Sequence, residues 1–438
     1  TAGMYANAST LNGLFGRGVR TVKPLEPSEE LDADYYIQEY ASKSEALAAA
    51  QALSGQISDE GIVLLKNNGI LPLADSTPLT PLGLRYCLPY YGGSGSSAIG
   101  SDEEHTITPA QGLHSVFCSL NTALEERLFQ AAGAADSLEN NPNLIAAGPL
   151  SGASENHILY EFSRSVYGDL GDTCSGTVGV VLIGRQTGED CDASVSVYSD
   201  GTPHMLALTS AEQDLISFAK ASCEGVVVVL ASSSPMEIWE LEQDPAIDAI
   251  LWLGGAGSTG YGSLARVLSG RVNPSGRLPD LWPSAFKQSP TFANQDDGSG
   301  SFVYANAFTT LVTRDSWEEN ACTPFREYEE GIYLGYRYYE TAWDTGFLDD
   351  YDNRTSGVLY PFGYGLSYTV FSQAIVDFSE RNGTISLTVR VTNTGEQYAG
   401  KEVVQVYFTP PYTDLDRDYA IEKPTAVLVQ FAKTELLA

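Results

Sequence analysis

The sequence predicts an α/β fold with a mainly parallel sheet, followed by a smaller antiparallel β-sandwich. Short apolar runs without alternation indicate strands covered on both faces, and helical patterns lie between them. Strand–helix alternation of this kind favours a parallel sheet. From Ile385 onward apolar and polar residues alternate instead, which is typical of antiparallel strands with one face on a core.

The elements of the α/β part can be placed in order along the chain. The Ala-rich stretch 44–58 predicts a helix, because alanine has the highest helix propensity. The strands of the sheet are predicted at residues 62–65, 178–183, 226–230 and 249–253. Residues 210–221 have a helical pattern, in which Ser210 could cap the helix and Gln213 could complete a capping box.

The composition along the chain predicts three regions. Residues 1–45 carry few core signals and are expected to form an extended arm. Residues 46–370 form the α/β region. Residues 371–438 form the antiparallel region, which holds only three or four strands, whereas a complete sandwich usually needs about seven. We therefore expect this second domain to be incomplete in the chain.

One segment of the α/β region, residues 326–340, is dense in aromatic and charged side chains. The rings could stack on the CH-rich faces of sugars. They could equally be packing residues at a seam between domains, and the sequence favours this second interpretation.

The charge of the chain argues against several classes of partner. Its 438 residues have a formal net charge of −32. Phosphate contact needs clustered Lys and Arg, so neither nucleic-acid binding nor a stable hold on an anionic membrane surface is expected. No apolar run approaches the roughly 20 residues that a membrane helix needs.

The six cysteines are scattered, with no C-x-x-C spacing and no histidine placed to suggest zinc. We predict no metal site and no cofactor, and free thiols in a reducing compartment. Residues 1–11 lack the basic start and apolar stretch of an intact signal peptide. Together these observations predict a cytoplasmic protein.

Two glycine-rich motifs could each be either a ligand-binding loop or a purely structural one. Gly255-x-Gly257-x-x-Gly260 follows a predicted strand and matches a dinucleotide-binding fingerprint. However, residues 273–279 form a loop, so Asp280 cannot end the second strand that the fingerprint requires. A tight strand-to-helix turn is the favoured interpretation. The stretch 92–97 is rich in Gly and Ser but has no following Lys, so it is either a flexible loop or a ligand contact.

The most informative polar segment is the acidic loop, residues 184–192, which leaves the end of the predicted strand 178–183. It holds Arg185, Glu189, Asp190 and Asp192. Ligands tend to bind at the carboxyl ends of parallel strands. Repulsion among these carboxylates and partial burial would raise one pKa, as a general acid requires. A solvated acidic loop is the alternative, because the whole chain is acidic.

Several motifs in the right order resemble glycoside hydrolase family 3. They stand at residues 60–67, 71–73, 272–277, 328–333, 335–339, 360–368, 391–395 and 399–407. The resemblance covers nearly everything from residue 45 to 438. It implies an (α/β)6-type sandwich followed by a partial fibronectin type III-like domain.

The resemblance also implies an activity and a catalytic residue. Members hydrolyse β-glycosides with retention, most often as exo-acting β-glucosidases, using two carboxylates about 5–5.5 Å apart. In the glucosidase branch the acid/base is a Glu within a Gly-Glu-Gly-x-Asp-Arg type motif, which residues 188–193 match. Glu189 thereby takes the acid/base role, and Arg185 and Asp192 are predicted to bind substrate. Asp190 and Ala193 depart from the motif.

The nucleophile of the family is an Asp on a (β/α)8 barrel, and no Ser-Asp-Trp nucleophile motif occurs in this chain. Residues 254–260 and 289–294 resemble the branch in which the barrel comes last. We therefore expect the chain to be the front part of a longer polypeptide, or one chain of a split enzyme, inactive without its barrel. A non-catalytic carbohydrate-binding or assembly module and a dinucleotide-dependent oxidoreductase remain as alternatives.

Overall fold

The computed structural model describes residues 39–99, 106–150, 157–189, 193–292, 309–314, 317–322, 328–348 and 357–438. The chain divides into two units, residues 1–49 and 50–438. In the first unit only residues 39–49 are described, and they include the beginning of the first helix. The predicted extended arm, 1–45, therefore lies almost entirely outside the described residues.

Helices and strands alternate through the α/β region. The helices are α1 (Lys43–Gly61), α2 (Leu84–Cys87), α3 (Pro109–His114), α4 (Thr122–Ala132), α5 (Arg164–Tyr167), α6 (Ser210–Ser222), α7 (Trp239–Gln243), α8 (Gly260–Leu268), α9 (Tyr336–Asp344) and α10 (Asp414–Asp418). The strands are β1 (Val63–Asn67), β2 (Leu79–Leu82), β3 (Leu144–Ala147), β4 (Leu159–Phe162), β5 (Val178–Arg185), β6 (Gly225–Ser232), β7 (Ala249–Trp252), β8 (Trp282–Pro283), β9 (Thr309–Arg314), β10 (Trp317–Cys322), β11 (Val358–Tyr360), β12 (Phe371–Arg381), β13 (Thr384–Asn393), β14 (Val403–Phe408) and β15 (Val427–Lys433). In the part of the chain that the structure describes, 3₁₀ helices lie at Gly95–Ser97, Gly168–Cys174 and Phe286–Gln288.

A five-stranded sheet with the order β1-β7-β6-β5-β2 forms the centre of the α/β region. The last four strands in this order are parallel, and β1 pairs antiparallel with β7 at one edge. All eight residues of β5 and all eight of β6 are buried. Val181 and Ile183 belong to the core on one face of the sheet, and Val180 and Leu182 to the core on the other. The predicted fold class is confirmed.

One predicted detail of this region is wrong. The side chain that caps α6 is Thr209, whose hydroxyl accepts from the backbone N–H of Glu212, and Glu212 returns a bond to complete the capping box. Ser210 is instead the first helical residue, and its hydroxyl donates to the carbonyl of Asp200. The error is one residue, because both Thr209 and Ser210 can cap a helix.

The C-terminal strands form two antiparallel pairs, β12 with β13 and β14 with β15. Ion pairs attach them to the α/β region: Arg277 binds Glu402, and Lys401 and Lys433 both bind Glu60. Several apolar side chains of these strands are exposed, namely Ile375, Phe378, Ile385, Val429 and Phe431. The antiparallel pattern read from residue 385 onward is confirmed, and the boundary at residue 371 stays a prediction.

Within the described ranges, every helix is too short or too polar to cross a bilayer.

Candidate active site

The candidate site lies where the parallel strands end. β5 and β6 are in register, with Arg185 opposite Ser232, so the residues that follow them emerge at the same sheet edge. The Thr187 hydroxyl lies 3.1 Å from that of Ser233 and 3.2 Å from that of Ser234. Hydroxyl groups of the acidic loop and of the segment that follows β6 therefore lie together at this edge, as expected for a polar ligand.

Glu189 is held by the Gly/Ser-rich loop 92–97. The backbone N–H of Ser96 donates to the Glu189 carboxylate at 2.9 Å, and the Ser94 hydroxyl donates to the Glu189 carbonyl at 3.0 Å. Ser94 also forms a parallel bridge with Gly188, and Gln186 donates to the carbonyl of Gly93. These contacts give loop 92–97 the role of positioning the candidate acid/base, and a direct contact of this loop with a ligand stays a prediction.

Glu189 is not the carboxyl of the acidic loop whose pKa is raised, and the expectation of one raised pKa stays a prediction for Asp190 and Asp192. The Glu189 side chain is exposed, and hydrogen bonds from Ser96 lower its pKa below the ordinary value of 4.5. The physical reason is that the Ser96 hydroxyl and the Ser96 backbone N–H both stabilise the ionised carboxylate, while little burial opposes them. Glu189 is therefore a carboxylate at neutral pH in this chain, suited to accept a proton rather than to give one.

The glycine at position 95 is required for this contact. It has a φ of +61°, and a Cβ added there would lie 2.6 Å from the Glu189 Cβ. We expect Gly95→Ala to displace the carboxylate from Ser96, so that the Glu189 pKa rises towards its ordinary value. The measurement is a ¹³C NMR titration of the Glu189 carboxyl in both proteins.

Gly176→Ala is the matched control for this substitution. Gly176 has a similar φ of +73°, and nothing lies within 4 Å of its added Cβ. It should carry the same backbone strain, of the order of 1–3 kcal/mol, without changing the Glu189 titration. If the two variants shift Glu189 equally, the proposed contact between Gly95 and Glu189 has no influence on the carboxyl.

Arg185, which is predicted to bind substrate, has its side chain buried in the protein interior. Its side chain is 1% exposed and forms a bidentate ion pair with Glu212, at 2.6 and 2.7 Å. Its remaining donors bind the carbonyls of Gly184, Met205 and Ala207. This arrangement is structural, because no donor remains directed at the sheet edge. The predicted substrate contact of Arg185 has no support in the geometry.

The other predicted residues of the loop, Asp190 and Asp192, lie outside the described residues, as does Cys191. The role of Asp192 in substrate binding therefore stays a prediction. Among the residues that the structure does describe, no group of three or more His, Cys, Asp or Glu side chains is arranged to hold a metal ion.

The glycines of the dinucleotide-like motif form the turn between β7 and α8. Gly257 has a φ of +59°, and Gly260 begins the helix. Asp280 stands in a loop before β8, and not at the end of a neighbouring parallel strand. The turn interpretation agrees with this geometry.

The aromatic segment contributes to a cavity of about 600 Å³ beside the α/β core. Tyr336, Arg337 and Phe362 line it together with Asp280, whose pKa is raised by burial. The centroid of the Tyr336 ring lies 4.9 Å from that of Phe362 and 5.9 Å from that of Tyr407. The Tyr336 hydroxyl accepts a hydrogen bond from the Leu428 N–H. These contacts join α9 to β14 and β15, so they favour the packing interpretation of the segment.

The hydroxyl groups of Thr187, Ser233 and Ser234 and the contact from Ser96 are not among the site features predicted from the sequence. The hydroxyl groups could have been found from their place just after β5 and β6. The Ser96 contact could not, because it joins residues 93 positions apart in the chain.

This chain is similar in sequence to glycosyl hydrolase family 3 proteins. Residues 62–336 match the model of the glycosyl hydrolase family 3 C-terminal domain. A β-glucosidase of Ruminococcus albus is 27% identical over 399 residues, which are 88% of this chain and 34% of that protein. Thermostable β-glucosidase B of Acetivibrio thermocellus is 28% identical over 397 residues, covering 89% of this chain and 42% of that protein.

Solved structures agree with the sequence matches. A β-glucosidase from Paenibacillus barengoltzii superposes with a TM-score of 0.65 and 28% identity, over 90% of this chain and 37% of that one. β-Glucosidase 3B from Thermotoga neapolitana, in complex with glycerol, gives 0.67 and 26%, over 90% and 48%. The chain thus spans about a third to a half of the length of these relatives.

Proposed function

Because this chain belongs to glycoside hydrolase family 3, we propose that it supplies the acid/base carboxyl, Glu189, to an exo-acting β-glucosidase that hydrolyses with retention. The observation that carries the proposal is the carboxylate of Glu189, exposed at the carboxyl edge of the sheet and held by Ser96. The nucleophilic Asp would come from a (β/α)8 barrel outside this chain, in the same polypeptide or in a second one. The relatives that match are β-glucosidases more than twice as long as their matched part.

In the proposed mechanism, Glu189 acts twice. Its protonated form gives a proton to the glycosidic oxygen while the barrel Asp attacks the sugar, and the aglycone departs. The resulting carboxylate then takes a proton from the water that hydrolyses the glycosyl-enzyme. The hydroxyl groups of Thr187, Ser233 and Ser234 lie at the same edge, where they can hydrogen-bond to the part of the substrate that leaves.

The first of these steps requires a protonated carboxyl, whereas hydrogen bonds from the hydroxyl and the backbone N–H of Ser96 lower the Glu189 pKa in this chain. A barrel over the sheet edge would remove water from Glu189 and bring a second carboxylate near it. Both effects raise a carboxyl pKa. We therefore expect the acid/base pKa of the complete enzyme, read from the basic limb of its kcat/KM profile, to exceed the pKa of Glu189 in this chain alone.

The proposal is tested on the protein from its native source, by intact mass measurement and an aryl β-glucoside assay on the same fractions. We expect activity to accompany either a polypeptide with a mass well above the 47.0 kDa of this chain or a second, barrel-sized chain. A lone 47.0 kDa species with full activity would contradict the proposal that the nucleophile comes from a barrel outside this chain. A lone 47.0 kDa species without activity would favour a binding module.

The second candidate function is a non-catalytic carbohydrate-binding or assembly module. The cavity lined by Tyr336, Phe362, Arg337 and Asp280 favours it, because aromatic rings beside charged groups suit sugars. A calorimetric titration of the chain alone with cellobiose distinguishes the binding module from the proposed catalytic role. Binding that is lost in Phe362→Ala but kept in Glu189→Ala would support the module.

A cytoplasmic location stays part of the proposal.

A further inference from the structure

Asn-Gly dipeptides occur in the sequence at residues 12–13, 68–69 and 382–383. The first lies outside the described residues. An asparagine followed by glycine is chemically labile, because glycine has no side chain to hinder the attack of its nitrogen on the asparagine amide carbon. In the other two dipeptides the same two residues stand in different surroundings, so any difference in their reactivity comes from those surroundings.

Asn382 and Gly383 form the turn of a β-hairpin. β12 ends at Arg381, β13 begins at Thr384, and these two residues pair with each other. Asn382 has a φ of +54° and Gly383 a φ of +77°. Positive φ at both central residues is typical of a type I′ turn, for which Asn-Gly is the preferred sequence. The requirements of the turn therefore place a labile dipeptide at the tip of the hairpin.

The tip of this hairpin is exposed. Residues 380–386 are all exposed, and nothing lies within 4 Å of a Cβ added to Gly383. Within the described part of the chain, no hydrogen bond holds the side-chain amide of Asn382 or the N–H of Gly383. Rotation of the peptide between these two residues therefore disturbs only the end of the hairpin, where local opening costs little free energy.

The dipeptide Asn68-Gly69, which follows β1, is held in place instead. The N–H of Gly69 donates to the side-chain oxygen of Asn67 at 3.0 Å. The side-chain amide of Asn68 donates to the carbonyl of Ile247 at 3.3 Å, and its backbone N–H donates to the carbonyl of Asp248 at 2.7 Å. The attacking nitrogen and the amide that would be attacked are thus both engaged, and ring closure has to break these bonds first.

We propose that Asn382 is a site of deamidation through a cyclic imide, and that the hydrogen bonds around Asn68 protect it from the same reaction. Hydroxide removes the proton of the Gly383 nitrogen, which attacks Cγ of Asn382. The new N–Cγ bond closes a five-membered succinimide ring, and the Cγ–Nδ2 bond breaks. Ammonia departs with a proton from water, which restores the hydroxide. Water then opens the ring on either side, giving aspartate or isoaspartate, with no oxidant or reductant.

Both products change the hairpin. Each replaces a neutral amide with a carboxylate, in a chain whose net charge is already −32. Isoaspartate also lengthens the backbone by one carbon, so that a two-residue turn no longer sets Arg381 opposite Thr384. The amide hydrogens next to the tip should therefore exchange faster after the reaction.

The test incubates the folded chain at mildly alkaline pH in ¹⁸O-labelled water. Digestion with pepsin at acidic pH, where ring closure is slow, and mass spectrometry then measure the conversion of each Asn-Gly peptide. We expect conversion at Asn382 to be about 10-fold faster than at Asn68 or more, because the bonds that hold Asn68 add to its barrier. We also expect isoaspartate among the labelled products, since only the imide gives it.

The same chain unfolded in guanidinium chloride is the first control. Without the hydrogen bonds of the folded state, the two dipeptides should react at similar rates. Asn382→Asp should remove the labelled product at this site while keeping a residue that tolerates positive φ, and Asn68→Asp should leave the reaction at Asn382 unchanged.

The proposal is overturned if Asn382 reacts no faster than Asn68 in the folded chain, or if its product is aspartate alone. A difference in rate that persists in the unfolded chain would assign it to the neighbouring sequence rather than to the fold, and would also overturn the proposal.

Discussion

Glu189→Ala, in a polypeptide that also carries the barrel, is expected to lower kcat/KM for cellobiose by about 10²–10⁴-fold, the usual contribution of a general acid. The reason is that an alkoxide is a poor leaving group unless its oxygen is protonated as the bond breaks. An aryl β-glucoside with an activated leaving group needs little protonation. Its first step should therefore be slowed much less than that of cellobiose.

The second step offers an independent measurement of the same residue. Without Glu189 no base removes the proton from the attacking water, so the glycosyl-enzyme should accumulate on an activated aryl glucoside. Azide needs no base and should restore part of the turnover, giving a glucosyl azide. Product analysis would identify this compound and so locate the defect in the acid/base role.

Glu224→Ala is the matched control. Glu224 is an exposed carboxylate that stands directly before β6, at the amino edge of the sheet. Its loss changes the net charge equally and should leave the kinetics with both substrates unaltered. Equal kinetics for the Glu189 and Glu224 variants would remove Glu189 from the mechanism.

The residues that could be predicted from the sequence are those whose signal is local. A continuous apolar run such as residues 226–230 indicates a buried strand by itself, and β6 extends that run by only a few residues. The strand end in turn places Glu189 at the carboxyl edge, where a catalytic carboxyl is useful. β2 is not predicted because Leu79–Leu82 is only four residues long and contains a proline, a residue that strands tolerate mainly at a sheet edge, which is where β2 lies.

The contacts that define the chemistry were not available from local patterns. The hydrogen bonds from Ser96 lower the pKa of Glu189, and they depend on how two distant loops approach each other. Arg185 shows the same limit. Beside three carboxylates in the sequence it resembles a substrate ligand, but its partner is Glu212 on α6, 27 residues later.

This buried pair leads to the second large effect, a loss of stability in Arg185→Met. The Glu212 side chain is only 6% exposed, and the variant would leave its carboxylate without the cation that pairs with it. The carbonyls of Met205 and Ala207 would lose the hydrogen bonds that Arg185 donates to them. Breaking a buried ion pair from one side typically costs about 3–5 kcal/mol. We expect a decrease of this size in the free energy of unfolding, measured by urea denaturation.

Two further variants distinguish the buried pair from a general effect of losing an arginine. Arg271→Met removes a pair with Asp75 in which the side chains are 48% and 51% exposed, and should cost under about 1 kcal/mol. Adding Glu212→Gln to Arg185→Met removes the unpaired charge and keeps a capping-box residue, so it should recover part of the loss. If Arg185→Met were as mild as Arg271→Met, the guanidinium would not be committed to Glu212. Arg185 would then again be a candidate for substrate binding, because it stands four residues before Glu189.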